Sequence, residues 1–229
     1  YDCQGYSDLD AFLNHPEMNV VTICSVSGAH LEHASKAARA GKHIICEKPL
    51  EVTPERIDQM IEVCAQNQVV LSGVFPRRFN DSTSIFKKAI AEKRLGKIVL
   101  CDTAIKWWRS QEYYDSGAWR GTWDLDGGGA LMNQSIHTID LMLHLLGDAS
   151  SVTASGGLEA HKGIEVEDVV VAIVEFKSGA RGVIQASTAC YSNTGLPASI
   201  HICGDEGSIM MVDDKFSIWD LKNPRSEDE

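Results

Sequence analysis

No stretch of this chain approaches the roughly 18 uninterrupted apolar residues that a membrane-spanning helix needs, which argues against a membrane protein. No C-x-x-C pair occurs among the seven cysteines, Cys3, Cys24, Cys46, Cys64, Cys101, Cys190 and Cys203, so neither a disulfide frame nor a zinc site is indicated, and no metal is expected. Their number is odd and most have apolar neighbours, as in Ile23-Cys24 and Ile45-Cys46. Buried free thiols in a reducing compartment are expected, hence a cytoplasmic location. Positive charge is scarce: 21 Lys and Arg against 32 Asp and Glu give a net charge of -11. A field of that sign repels polyanions, so nucleic acid and anionic membrane surfaces are not expected as partners, although a local basic pocket is compatible with it. Internal repeats and low-complexity runs are missing, and the tail Ser226-Glu227-Asp228-Glu229 reads as a solvated end. The first residue is Tyr1 rather than Met, which leaves a preceding signal peptide open.

What is present is a chain of 229 residues, 44% apolar and 23% charged, sized for one large domain or two small ones. Tyr6 to Leu13 predicts a short helix. Val20-Val21-Thr22-Ile23-Cys24 is a β-branched apolar run that predicts a strand buried on both faces, and His43-Ile44-Ile45-Cys46 repeats the pattern. Between them, His30 to Ala40 is rich in helix formers and stops at Gly41, while Thr53-Pro54 opens a further helix with an N-cap and a first-turn proline. Val69-Val70-Leu71 closes this series of parallel β-α-β units. After it come a helix from Asp81 to Leu95, a strand from Ile98 to Trp108, an irregular loop from Arg109 to Asp126 and a helix from Ala130 to Leu146. Six strands follow, Ser151–Ser155, Val166–Phe176, Arg181–Thr188, Ser199–Cys203, Ser208–Val212 and Phe216–Trp219, separated by turns that suit an antiparallel sheet. The expected fold class is α/β plus α+β, with two domains meeting near residues 74 to 80.

Three constellations carry chemistry. Glu47-Lys48-Pro49 stands where a predicted parallel strand ends, the edge at which open α/β sheets bind ligands. Proline biases Lys48 toward an extended conformation, so its ammonium projects in a defined direction; a solvated surface turn is the alternative. The second is the Gly-rich segment Gly127-Gly128-Gly129 through His137 and Asp140. Its glycines permit close approach, the free amides of a helix start suit polar or anionic groups, and a four-residue spacing puts Asn133 and His137 on one helical face. Histidine is a competent acid/base near neutral pH, although a hydrogen-bonded core histidine fits the same position. The third is an aromatic loop, Trp107-Trp108-Arg109, Tyr113-Tyr114, Trp119-Arg120 and Trp123, which suits a wall for a sugar ring or nicotinamide with arginine reaching a phosphate or carboxylate. Interdomain packing or an oligomer contact is its other reading.

Together these residues resemble the Gfo/Idh/MocA family, the glucose-fructose oxidoreductase and inositol dehydrogenase group. The features follow in family order through nearly the whole chain: the strand Val20 to Cys24, the turn Ser25-Val26-Ser27 with His30, Ala40-Gly41-Lys42-His43-Ile44-Ile45-Cys46-Glu47-Lys48-Pro49, Arg78-Phe79, then Trp119-Arg120 ahead of the Gly-rich helix. The resemblance implies the remaining part of an NAD- or NADP-binding Rossmann-type domain with a parallel sheet over residues 1–76. It implies a mixed, largely antiparallel open-faced sheet domain for substrate binding and oligomerisation over residues 77–229. It also implies that Lys48 contacts substrate hydroxyl and cofactor, that His137 is the acid/base with Asn133 beside it, and that Ser25, Ser27, His30, Glu47, Lys48, Trp119 and Arg120 line the cofactor. Arg120, Asn133 and Gln134 are the expected substrate contacts, and the closest branch acts on sugars and nucleotide-sugar uronates.

The expected reaction is hydride transfer between a nicotinamide and a secondary alcohol of a sugar, polyol or sugar derivative, in a dimer or tetramer. An NAD-dependent glycosidase or lyase of the same family and a non-catalytic sugar-binding relative are the alternatives. Asn133 stands where many members have Asp, and Val26-Ser27 where Pro-Asn is usual. The Gly-x-Gly-x-x-Gly turn of the family is expected ahead of Tyr1, and the polypeptide by itself is expected to bind cofactor poorly.

Overall fold

The β-branched run Val20–Ile23 (β1) and His43–Cys46 (β2) pair in parallel, Val20 opposite His43 and Ile23 opposite Cys46, and Leu71–Gly73 (β3) adds a third parallel strand beside β2. Helix α1, Leu9–Leu13, precedes the sheet and is shorter than its sequence suggests; α2 (His30–Arg39) and α3 (Pro54–Gln66) make the crossovers. Thr53 caps α3, its hydroxyl accepting the Arg56 amide, and Pro54 occupies the first turn. The computed structural model describes residues 3–228, which fall into two compact units, one within Tyr1–Val74 with Thr122–Gly127 and the other within Phe75–Gly121 with Gly128–Glu229.

In the first unit Ala34, Ala37 and Ala38 of α2 and Met60 and Cys64 of α3 pack with Ile23, Ile44 and Cys46 in one core. Among the described residues the sheet is covered on this face alone. Val20, Thr22, His43 and Ile45, the alternate positions, are exposed, which corrects the expectation of strands buried on both faces: the β-branched run suits the pleat, but side chains of period two sort to opposite sides. The segment 122–127 joins this unit through a close approach. Gly28 donates its amide to the Leu125 carbonyl at 3.1 Å, and a Cβ on Gly28 would lie 2.0 Å from the Asp124 carbonyl oxygen.

The second unit is a seven-stranded sheet in the order β10-β9-β8-β4-β7-β6-β5. Its strands are Ile98–Lys106 (β4), Ala149–Gly157 (β5), Val169–Phe176 (β6), Arg181–Ser187 (β7), Ser199–Gly204 (β8), Gly207–Val212 (β9) and Lys215–Leu221 (β10). Every neighbouring pair is antiparallel except β4 and β7, which run parallel at its centre. Helices α4 (Asp81–Ala91) and α6 (Ile136–Leu146) supply Phe86, Ala89, Leu141, Met142 and Leu145 to a core with Val174, Ile200, Ile202, Ile209 and Met211. The opposite face is open: Leu100, Val171 and Ile173 are 43%, 49% and 54% exposed.

Three further expectations are corrected. The aromatic loop holds a short helix, α5 (Gln111–Asp115). Cys24 is exposed although its neighbours are apolar, because it follows the last paired residue of β1; Cys46, Cys64 and Cys101 are buried thiols. Burial pushes the Cys46 thiol up to about 12. The acidic tail is not wholly solvated, since Asp228 accepts hydrogen bonds from Arg94 Nη1 at 2.7 Å and Trp219 Nε1 at 2.9 Å and lies buried with Arg94; Glu229 is outside the described residues. No helix among the described residues is long and apolar enough to cross a membrane.

Candidate active site

In the first unit, the turns that leave β1 and β2 are held together by one buried imidazole. His30, 1% exposed, places Nδ1 3.0 Å from the Pro49 carbonyl and Nε2 3.1 Å from the Ser25 carbonyl. Its ring is buried and engaged by backbone oxygens on both edges, which ties the two loops together. Ser27 is also buried, whereas Ser25 is exposed and shares a hydrogen bond with His33 Nδ1 at 2.9 Å. Glu47 and Lys48 are partly exposed, the Lys48 amide donating to Glu47 Oε2 at 3.1 Å, and the Lys48–Pro49 peptide is cis. Beneath them Glu51, with no exposed surface, accepts the Leu31 and Val52 amides at 3.0 and 2.7 Å and Arg56 Nε at 2.8 Å. Burial alone raises its carboxyl, but Arg56 and the two amides outweigh burial and hold it below the usual carboxylate range. A hydroxyl, a carboxylate and an ammonium thus stand at the carboxyl ends of adjoining parallel strands, a donor set that fits the ribose and carboxamide of a nicotinamide nucleotide.

In the second unit, the Gly-rich segment is not the start of one α-helix. Ala130–Gln134 forms a π-helical turn, the Ser135 amide bonding the Ala130 carbonyl at 3.0 Å, and α6 begins afresh at Ile136. Asn133 and His137 therefore sit on either side of a break rather than on one regular face, a correction to the i, i+4 reading. The amides expected to be free at this start are also taken. Glu167 accepts Gly129 N–H through Oε2 at 3.0 Å, Leu131 N–H through Oε1 at 2.9 Å and Ala130 N–H through its own carbonyl at 2.9 Å. Gly129 is required there because a Cβ would lie 1.8 Å from the Glu167 carbonyl oxygen.

The turn carries its polar side chains into a continuous network. Gln134 Nε2 donates to Asn133 Oδ1 at 3.0 Å and to the Tyr113 hydroxyl at 3.1 Å; Arg109 Nη2 donates to Gln134 Oε1 at 2.9 Å, and Arg120 Nη1 to the Tyr113 hydroxyl at 2.9 Å. The Arg120 guanidinium also stacks on Trp119, 4.4 Å from its ring centroid. Four of the residues singled out from the sequence, Trp119, Arg120, Asn133 and Gln134, are brought together in this way. His137 lies just past the break, its ring edge-on to Phe75 at 6.2 Å. Further along α6, Asp140 is held by Arg78 Nε at 2.8 Å, and His144 receives Lys87 Nζ at 3.0 Å. Ser25, Ser27, His30, Glu47 and Lys48 belong to the first unit.

Sequence reasoning missed the anchor next to Glu167. Asp168, fully buried, accepts the Glu159, Ala160 and His161 amides at 2.8 to 3.0 Å and His161 Nδ1 at 2.8 Å, and His161 Nε2 reaches the Arg109 carbonyl at 2.8 Å. Burial raises this carboxyl too, and the three amides with His161 more than reverse it, holding it below the usual carboxylate range. The available signal was two adjacent carboxylates opening the apolar run Val169 to Val174, since a charge pair heading a buried strand needs partners.

Comparison with known proteins identifies the relatives of the chain. Residues 1–75 match the oxidoreductase family profile with an NAD-binding Rossmann fold, and residues 85–210 match the GFO/IDH/MocA C-terminal domain. Levoglucosan dehydrogenase of Pseudarthrobacter phenanthrenivorans is 32% identical over 89% of this chain and 58% of its own length; myo-inositol 2-dehydrogenase of Thermotoga maritima is 29% identical over 90% and 60%. This chain thus spans less than two thirds of either relative. Among solved structures, the WlbA dehydrogenase of Bordetella pertussis in complex with NADH and UDP-GlcNAcA superposes with a TM-score of 0.93 at 33% identity, over 98% of this chain and 68% of that one. The chain belongs to the Gfo/Idh/MocA family of oxidoreductases.

Proposed function

We propose that the protein is an NAD(P)-dependent dehydrogenase that oxidises a secondary alcohol of a sugar, polyol or sugar derivative, with NAD the cofactor that the family's NAD-binding fold favours. The observation that carries this reading is the presence in one chain of a strand-end Lys48 in a Rossmann-type unit and of His137 beside an amide- and arginine-rich cluster in the second unit, in a chain whose relatives include dehydrogenases of levoglucosan and myo-inositol. Ser25, Glu47 and Lys48 are assigned to the cofactor side, with Ser27 and His30 shaping it from below. Trp119 and Arg120 border the nicotinamide or the sugar, and Asn133 and Gln134 bind sugar hydroxyls. A nicotinamide held by Ser25, Glu47 and Lys48 would supply the hydride acceptor for the carbinol carbon. His137 takes the proton from the hydroxyl oxygen, so that a ketone, a reduced nicotinamide and one proton result, and Lys48 orients the reacting oxygen. Asn133 orients the substrate or the imidazole without adding a charge.

Free thiols at all seven cysteines suit a reducing, cytoplasmic setting, and the open sheet face suits a homo-oligomer, dimer or tetramer. The test is reduction of NAD and NADP by the native protein over a panel of sugars and polyols. Turnover with at least one substrate is expected, falling by roughly 100- to 10,000-fold in His137→Ala and strongly in Lys48→Ala. Unchanged turnover in Lys48→Ala removes that assignment. Product formation without net accumulation of reduced nicotinamide identifies the transient-oxidation reading instead.

A further inference from the structure

Helix α6 begins without the local support that a helix start usually has. Ser135, just ahead of it, makes no side-chain cap bond to its amides; the hydroxyl donates instead to the Ala130 carbonyl at 2.8 Å, back into the π-helical turn, and the first turn of α6 holds no acidic residue. His137 is the second residue of this helix, so whatever fixes that turn fixes the imidazole. The turn is held from the side by the segment that opens the second unit. Phe75 stands edge-on to the His137 ring, Arg77 Nη1 donates to the buried Thr138 Oγ1 at 2.7 Å, and Arg78 Nε donates to Asp140 Oδ2 at 2.8 Å. The Arg78 guanidinium also lies 5.6 Å from the centroid of Phe75, which ties the two ends of this grip together.

Arg77 is itself pinned from the far end of the sheet. Its side chain is 14% exposed; Nε donates to Asp214 Oδ1 at 2.7 Å, Nη2 reaches the same oxygen at 2.6 Å, and the Arg77 carbonyl accepts the Thr83 hydroxyl at 2.7 Å. Asp214 belongs to the two-residue turn between β9 and β10, where Val212 pairs with Lys215. Both turn residues are left-handed, Asp213 at φ 44 and Asp214 at φ 63, and no other adjacent pair of non-glycine residues among the described ones is so. A turn of this kind is met most easily by Asn or Asp followed by Gly, so an aspartate in the second place holds strain. Asp213 has a local reason to be there: its carboxylate accepts the Ala198 amide at 2.9 Å and its amide donates to the Ala198 carbonyl at 2.9 Å. For Asp214 the contact that accounts for the strain is the one with Arg77, which leads to Thr138 and so to the residue beside His137.

We propose that Arg77 and Asp214 are positioning residues for His137: a brace that runs from the tip of the β9–β10 hairpin through Arg77 to Thr138 and holds the first turn of α6 in the orientation that proton transfer needs. The proposal rests on the dehydrogenase reading for the role of His137 and on nothing outside the second unit for its geometry. A brace of this kind acts on the chemical step and not on binding, because it touches neither substrate nor cofactor. Steady-state kinetics of the native protein with its best sugar or polyol test it. In Arg77→Ala and Asp214→Gly, kcat is expected to fall roughly 10- to 100-fold, while KM and NADH affinity stay within about twofold of the parent. Asp214→Gly supplies the residue that the turn prefers, so the hairpin still forms, and an unchanged melting temperature separates loss of positioning from loss of fold. Asp214→Asn, which keeps an acceptor oxygen and tolerates the left-handed conformation, retains most of kcat. Amide hydrogen exchange read by mass spectrometry is expected to quicken from Thr138 to Leu141 in Arg77→Ala and Asp214→Gly, and to stay unchanged in the first unit.

An unchanged kcat in folded Asp214→Gly overturns the proposal. So does a rise in KM or a loss of NADH affinity as large as the fall in kcat, which makes the pair a packing element of the whole unit. A native protein that reduces no nicotinamide with any sugar refutes the dehydrogenase reading instead; the brace on α6 then stands if exchange from Thr138 to Leu141 quickens in Asp214→Gly and falls if it does not.

Discussion

Among single residues, the buried carboxylates separate what was legible in the sequence from what was not. The place of Lys48 just past a parallel strand was readable because its neighbours carry the signal: an apolar strand before it and a proline after it. Glu51, three residues on, carried none, and its role depends on Arg56 folding back from the first turn of α3 and on the Leu31 amide 20 residues earlier. Removing one partner of a buried ion pair strands the other charge, so Arg56→Ala is expected to lower the unfolding free energy by about 3 kcal/mol, measured by urea denaturation at neutral pH. The pH dependence has a definite sign. The folded-state value of Glu51 lies below its unfolded value, so its contribution is fully present above the ordinary carboxylate range and is lost as pH falls through the lowered folded value. The difference in stability between the parent and Arg56→Ala is therefore expected to shrink in acid; a gap that stays constant from neutral pH down to the onset of acid unfolding contradicts this account.

At the level of elements, the apolar period of Leu131, Ile139, Met142 and Leu146 reads as a single helix because it samples positions on both sides of Ser135 and is blind to a wide turn between them. The clue lay in composition: three glycines and then Asn133 and Ser135, residue types that favour local alternatives to α-helix. Glu167 stabilises the π-helical turn by accepting two of its amides, and it sits 38 residues from Gly129 in sequence, too far for a local pattern to reveal. Glu167→Gln leaves one amide facing an amino group, a loss of about 1–3 kcal/mol. Gly129→Ala puts a methyl against the Glu167 carbonyl and forces the turn to shift, at a cost of similar or greater size. If the turn acts as a unit, the double variant loses less than the sum of the two single variants. Thermal and urea unfolding of all three proteins measure this, and strict additivity argues that Glu167 and Gly129 act independently.

For the whole molecule, the two-sheet architecture was legible because its signals are long: parallel strands alternating with helices, then six strands punctuated by turns. Which strands lie at the centre was not, since β4 pairs with β7 and β8 across long stretches of chain. That order decides which apolar residues end up on the uncovered face. Leu100 of β4 lies opposite Arg181 of β7, Ile173 of β6 lies opposite Val183 of β7, and Val171 lies opposite Gln185, so the side away from α4 and α6 carries apolar groups interspersed with charged and polar ones across three adjacent strands. Leu100, Val171 and Ile173 are each exposed, and apolar groups left uncovered on a sheet face are stabilised by a second copy of the same surface. At micromolar concentration the native protein is expected to sediment as a dimer or tetramer. Ile173→Asp, which places a charge on that open face, is expected to shift it toward monomer without lowering monomer stability by more than about 0.5 kcal/mol, because the residue touches solvent in the isolated chain. An oligomer that persists unchanged in Ile173→Asp locates the interface elsewhere, and a native protein that is monomeric throughout removes the oligomer from the proposal altogether.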